Sequence, residues 1–338
     1  MFVHELGHLL FAKLAGLRVE EFGLGYPPRL LTIGRVGGTE YTLNLVLFGA
    51  FVRLEGDGEP FADKSTASRA AFLVGGSFLN LLLSVSLFSV CFASGWPIAH
   101  DRAVAVNKVL PGSVAEAVGL QDNDLILAAD GHRAASMLEL VRYARSAHGN
   151  VREVLILRRG RTLSVSLPAG GPWFTKPETR GVQVRDGAGW VEIVAYSWPE
   201  AGRKAVSEAL SAVGALLILP IRILQGTVPV DMVRPVGPVG IAQLTGQAAQ
   251  QVASSGWWFP LLQLTAVLSA ALAATNLMPL PGLDGGRLLF ILVEALRGKR
   301  LDPRRESLVH LAGLVLLLAL ILIVTYYDIT VPYPLGGR

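Results

Sequence analysis

Three long apolar runs limit what this chain can fold into more than any other feature. They are Ala70 to Gly95, "AAFLVGGSFLNLLLSVSLFSVCFASG"; Trp257 to Leu280, "WWFPLLQLTAVLSAALAATNLMPL"; and Leu308 to Tyr327, "LVHLAGLVLLLALILIVTYY". Each offers about the twenty apolar residues that a helix needs to cross a bilayer. They lack the polar stripe of a helix packed on a soluble core. The opening stretch, "MFVHELGHLLFAKLAGL", reads as the C-terminal part of a fourth run, and an upstream extension of apolar residues is expected. Composition agrees: 51% of residues are hydrophobic and 17% charged, where a soluble domain has about a quarter charged. The mean hydropathy is +0.47. The single cysteine, Cys91, lies in an apolar run, so no intramolecular disulfide can form. No cleavable signal peptide is visible.

Between the first two full runs lies a polar region with short alternating apolar and polar stretches and one helical stretch from Ser136 to Ala147. It reads as a small soluble α+β module near residues 101–169. A weaker apolar segment, 201–225, carries Arg203, Lys204, Glu208, Pro220 and Arg222. It reads as an amphipathic helix lying on the membrane surface. The short connection "RGKRLDPRR" holds five basic residues and one acid, which places it on the cytoplasmic side. Counting spans back from there puts the α+β module outside the cytoplasm and "HELGH" near the cytoplasmic end of its helix. The net charge of +4 is modest, and no nucleic-acid partner is expected.

The HELGH motif brings chemistry into this apolar frame. His4 and His8 lie slightly more than one helical turn apart, so both imidazoles project from one face. They can share one zinc ion, with Glu5 in reach of a water held there. Zinc lowers the pKa of such a water to about 7, and a neighbouring carboxylate can take its proton. The plain alternative is two surface histidines flanking a glutamate. Three ionisable residues in an apolar helix are costly without partners, which favours the metal role.

A third ligand is needed, and the candidates in apolar surroundings are Glu208, Glu294, His310 and Asp284. Asp284 is the best placed of them. In "NLMPLPGLDGGRLLF", Pro279, Pro281 and the Gly285-Gly286 pair break a helix beside it. A broken helix at membrane depth is tolerated where it lines a polar cavity.

HELGH in a first span together with "NLMPLPGLDGG" in a later one resembles the site-2 family of intramembrane metalloproteases, in particular the bacterial regulator-of-sigma-E type. The likeness covers nearly the whole chain. "GTEYTLNLVLFGAFVRLEGD" resembles the family's membrane-associated β segment, "PGSVAEAVGLQDNDLILAADG" its PDZ signature, and "PVGPVGIAQ" the segment before its third span. Two features depart from the family pattern. "GGSFLN" stands where AGP..N is more usual, and Gly181 to Val194 is too short for a second PDZ domain.

The resemblance implies a multi-span α-helical membrane protein with a membrane-associated β segment and an inserted α+β PDZ domain. Its expected parts are a first-span remnant at 1–17, the β segment at 35–56 and a second span at 68–95. The PDZ domain at 101–169 and the surface helix at 201–225 follow, then a third span region at 257–296 and a last span at 307–327. By resemblance His4, His8 and Asp284 are the Zn2+ ligands, Glu5 is the catalytic base, and Asn276 holds substrate near the metal. The implied activity is zinc-dependent cleavage in or near transmembrane segments of membrane proteins, such as an anti-sigma factor or remnant signal peptides. The implied partners are those substrates, the lipid bilayer of the cell membrane, and a ligand of the PDZ domain at an exposed C-terminus. The alternative is an inactive membrane adaptor of the same fold that works through its PDZ domain.

Overall fold

The structure is a computed structural model that describes residues 1–55, 64–100, 103–158, 161–169, 172–187, 190–228, 235–299 and 301–331. The chain divides into two compact units, Met1–Gly95 with Ala195–Arg338, and Trp96–Val194.

The first unit is a bundle of seven helices with one β hairpin among its described residues. Its helices are α1 (Phe2–Leu14), α2 (Thr66–Ser94), α3 (Trp198–Leu224), α4 (Pro238–Ser255), α5 (Phe259–Leu277), α6 (Asp284–Arg297) and α7 (Pro303–Thr330). Four stretches are long and apolar enough to cross a membrane: Thr66–Ser94, Trp198–Leu224, Phe259–Leu277 and Glu306–Thr330. The ends are set by local chemistry. Ser65 caps α2 by accepting from the Ser68 amide at 3.1 Å, and Asp302 caps α7 by accepting from Arg304 N at 3.0 Å, with Pro303 in the first turn. Most of α7 leaves large apolar side chains exposed, Leu316 and Leu322 among them. That is the surface a helix presents to lipid.

Two contacts define the bundle around the site. Gly7 of α1 meets Gly75 and Gly76 of α2 backbone to backbone, so closely that no side chain fits between them. Small residues at a helix crossing allow such an approach. Below it, Leu9, Ala12, Leu17, Val19, Phe22, Phe72, Leu73 and Ile291 form one apolar cluster that joins α1, α2, α6 and the hairpin.

The segment read from sequence as a surface helix behaves differently in the bundle. Ala201, Ala205 and Ala209, four residues apart on one face of α3, are fully buried. This alanine face packs against α2 and α5. The charges at Arg203, Lys204 and Glu208 suggested a helix lying flat. They occupy the other faces of the same turns.

The hairpin joins β1 (Val19–Val36) to β2 (Thr39–Leu54). It therefore starts well before residue 35, the boundary expected from sequence, where the "YPP" interruption at 26–28 hides the alternation of β1. Gly37 and Gly38 both have positive φ, 59° and 83°, as a two-residue hairpin turn requires. The strands fold back on themselves. Residues 40–43 pair on one side with 31–35 and on the other with 21–24, which in turn pair with 50–53.

The second unit is a mixed α+β module. Its main sheet has the order β8-β7-β5-β4-β10-β9, with β6 beside β5. These strands are β4 (Val104–Val109), β5 (Leu125–Ala129), β6 (His132–Arg133), β7 (Glu153–Arg158), β8 (Arg161–Ser166), β9 (Glu178–Thr179) and β10 (Val182–Asp186). A ribbon pairs β3 (Trp96–His100) with β11 (Trp190–Val194). Helices Val114–Ala117 and Met137–Ser146 are each capped by a serine, Ser113 and Ser136. The core contains Val104, Ile126, Leu140, Ile156, Trp173, Phe174 and Val182. The module runs past the expected end at 169 because β10 completes the sheet against β4. The 181–194 stretch thus belongs to this one module.

Candidate metal centre

HELGH lies on α1, a helix whose turn geometry carries His4 and His8 onto the buried face. Asp284 comes from 276 residues beyond His8. It is the first residue of α6, immediately after the chain breaks at Pro279 and Pro281. A carboxylate in that place is favoured by the positive end of the helix dipole. Gly285 and Gly286 let α6 start hard against the carbonyls of Leu277, Met278 and Leu280, where a side chain could not fit.

The three side chains converge. His4 Nε2 stands 3.0 Å and His8 Nε2 3.2 Å from Asp284 Oδ2, and the two Nε2 atoms are 3.1 Å apart. The histidines are buried and the aspartate largely so. His8 Nδ1–H donates to the Phe72 carbonyl at 2.8 Å, which leaves a lone pair on Nε2. The Asn80 carboxamide stands 3.4 Å from His4 Nδ1. Its Nδ2 faces that nitrogen and donates to it, with Nδ1 as the acceptor. Two imidazole nitrogens and a carboxylate oxygen thus meet in one small cluster, a donor set that can hold a cation. The triangle's edges are close to the roughly 3.3–3.4 Å expected between ligands of a tetrahedral zinc ion with bonds of about 2.0–2.1 Å. Among the described residues this is the one group of His, Cys, Asp and Glu side chains so arranged.

Glu5 is half-buried on the same helix, within electrostatic reach of His4, His8 and Asp284. Asn276 lies half-buried in the last turn of α5, and no hydrogen bond joins it to the three clustered side chains. The other ligand candidates are engaged elsewhere. Glu208 is exposed on α3, Glu294 accepts from Arg69, and His310 accepts from the Gly282 amide.

Sequence reasoning left three parts of the centre without a role: the Phe72 carbonyl, Gly76 and Asn80. Asn80 carried a signal, being an amide in an apolar run. Gly76 did so only as half of an unexplained pair.

The family profile of peptidase family M50 matches residues 1–320. The chain belongs to peptidase family M50. It is 29% identical to zinc metalloprotease RasP of Geobacillus kaustophilus, with 97% of this chain and 94% of that protein covered. It is 26% identical to RasP of Oceanobacillus iheyensis over 97% and 95%. An M50 member of this kind is a zinc metalloprotease of the membrane. The donor set of two imidazoles and a carboxylate is one that suits Zn2+.

Proposed function

We propose that this chain is an intramembrane endopeptidase that hydrolyses peptide bonds in or near the transmembrane segments of other proteins. The convergence of His4, His8 and Asp284 beside Glu5, in a bundle with four helices long and apolar enough to cross a membrane among its described residues, carries this reading. Zinc, when bound, supplies a Lewis acid that polarises a carbonyl and acidifies water. The side chains do the rest. His4, His8 and Asp284 hold the ion. Glu5 takes a proton from the attacking water and returns it to the leaving amine.

A substrate helix hides its backbone in its own hydrogen bonds and must unwind to be cut. Strand addition to the hairpin would hold it extended. Residues 40–43 cannot serve, because they are paired on both sides. Residues 50–54 are the better edge: among the described residues they pair only with 19–24, the segment that follows α1. Asn276, in the turn before the broken helix, is read as a second hold on the substrate. Anti-sigma factors and remnant signal peptides both offer a substrate of this chemistry.

The second unit is read as a PDZ domain that takes an exposed C-terminus by the same edge addition. Its place is extracytoplasmic, with the metal centre towards the cytoplasmic side, as the basic 297–305 connection suggests.

Cleavage of a reporter transmembrane substrate by the wild type and by Glu5→Gln, with zinc measured in both, tests the mechanism. The expected result is full zinc occupancy and a loss of cleavage of about 100-fold or more in the variant. Equal cleavage would overturn the role of Glu5, and no cleavage by the zinc-loaded wild type would leave the adaptor reading in force.

A further inference from the structure

His310 was a candidate ligand and is not at the metal centre, yet it is not idle. It lies in the second turn of α7, with its side chain 12% exposed. The Gly282 amide donates to its Nδ1 at 3.1 Å. Phe290 of α6 packs edge-on to its ring with centroids 5.4 Å apart. One turn on, Gly313 lies so close to the Pro281 carbonyl that a Cβ there would collide with it. A Cβ on Gly282 would stand 3.1 Å from the Leu314 amide. Residues 281 and 282 are therefore seated on α7 through a hydrogen bond and a glycine contact. Asp284 follows two residues later.

We infer that His310 is a positioning residue for the metal centre: its Nδ1 anchors the Gly282 amide and so fixes where Asp284 presents its carboxylate. The inference rests on the reading of Asp284 as a metal ligand. The physical reason for an anchor lies in the chain around it. Between the end of α5 at Leu277 and the start of α6 at Asp284 the backbone has no helix of its own to hold it. A ligand on such a turn is placed only as well as the turn is. The Gly282 N–H, outside any helix ladder, needs an acceptor in apolar surroundings, and His310 Nδ1 supplies it. This also sets the tautomer of His310: Nδ1 accepts, and the proton is on Nε2. Nε2 lies 3.9 Å from Glu306 Oε1, beyond hydrogen-bond reach.

The test compares wild type, His310→Leu, His310→Asn, Gly313→Ala and Asp284→Ala, each purified in detergent as the full chain. Zinc affinity is measured against a competing chelator, and the absorption spectrum of the cobalt-substituted protein is recorded. His310→Leu keeps the bulk and loses the acceptor. It is expected to bind zinc about 10-fold more weakly, the scale seen when a partner of a metal ligand is removed, with an altered cobalt spectrum. His310→Asn offers an amide oxygen near the place of Nδ1 and is expected to restore both. Gly313→Ala pushes the Pro281 turn away and is expected to resemble His310→Leu. Wild-type zinc affinity in His310→Leu, or equal loss in His310→Asn and His310→Leu, overturns the inference. Wild-type affinity in Asp284→Ala overturns the ligand assignment itself, so the two failures are told apart.

Discussion

A Cβ placed on Gly76 would stand 2.6 Å from Cε1 of His4 and 2.7 Å from Nε2 of His8. The glycine of one helix is thus the back wall of the candidate metal centre, whose two histidines another helix carries. Gly76→Ala is expected to displace both imidazoles from Asp284. Zinc affinity should fall by about 10-fold or more, by analogy with other losses of ligand support, while α2, a 29-residue helix long and apolar enough to cross a membrane, still inserts. Zinc retention in the detergent-purified variant is the measurement. Undiminished retention would show that the centre can shift to accept the methyl group.

The contrast between Gly76 and Glu5 shows what could be read from the sequence and what could not. HELGH declares itself because two histidines at helical spacing have a chemical meaning independent of context. The place of Asp284 beside those histidines was legible for a related reason, as a carboxylate set among helix breakers in an apolar run. Gly76 has no such mark, since its role is an absence of atoms at a crossing that only the folded bundle creates. The same holds for β1, whose alternation is broken at 26–28, and for the end of the second unit. There, β10 belongs to the sheet through pairing with β4, more than seventy residues earlier. The alanine face of α3 was obscured by the charges that share its turns.

Within the second unit, Asp124 is 1% exposed and takes a two-pronged bond from Arg158, Nε to Oδ1 and Nη2 to Oδ2, both at 2.7 Å. The Gln121 amide also donates to Oδ2, at 2.8 Å. The Asp124 hydrogen bond and charge hold the guanidinium firmly protonated, against the opposing effect of burial. Asp124→Asn is expected to destabilise this unit by about 3 kcal/mol, the lower range for breaking a buried pair by removing one partner. Faster proteolysis within 96–194, with zinc still bound in the full chain, is the expected readout. Unchanged proteolysis would mean the amide replaces the carboxylate adequately.

The hairpin should respond to acid through Glu21. Its carboxylate is buried, and burial alone would raise its pKa. The hydrogen bond from Thr42 at 2.6 Å, the charge of Arg53, and Arg29 at 2.8 Å more than offset this and hold it below the usual carboxylate value. A group with a depressed folded-state pKa contributes stability above its unfolded value, about 4.3, and loses it as the pH falls through the folded value. Amide exchange across 19–54, corrected for its intrinsic pH dependence, is therefore expected to be flat from pH 7 to 5 and to rise below about 4. Glu21→Gln should raise exchange at neutral pH and remove that acid-linked component. An unchanged acid response in the variant would assign it to another carboxylate.

Arg69 and Glu294 tie the two helices that the metal centre depends on. Arg69, in the first turn of α2, donates from Nη2 to Glu294 Oε2 at 2.5 Å, near the end of α6. Both side chains are about nine-tenths buried, at 10% and 9% exposure. Glu294 Oε1 also accepts from the Leu301 amide at 3.1 Å. The pair thus clamps one end of α6 to α2, while Asp284 at the other end of α6 faces histidines backed by Phe72 and Gly76 of the same α2. Removing one charge leaves the other buried without this partner, at a cost of about 3–5 kcal/mol. Glu294→Gln is therefore expected to lower the thermal midpoint in detergent and to weaken zinc binding. An apolar replacement of both, Arg69→Met with Glu294→Leu, removes the desolvated charges together. It should recover most of the stability, because well-packed apolar groups commonly match a buried ion pair. Recovery of stability without recovery of zinc affinity would show that the pair sets the register of α6 on α2 as well as holding the helices together. If the double variant is as unstable as the two single losses added, the residues act independently and the clamp does not exist.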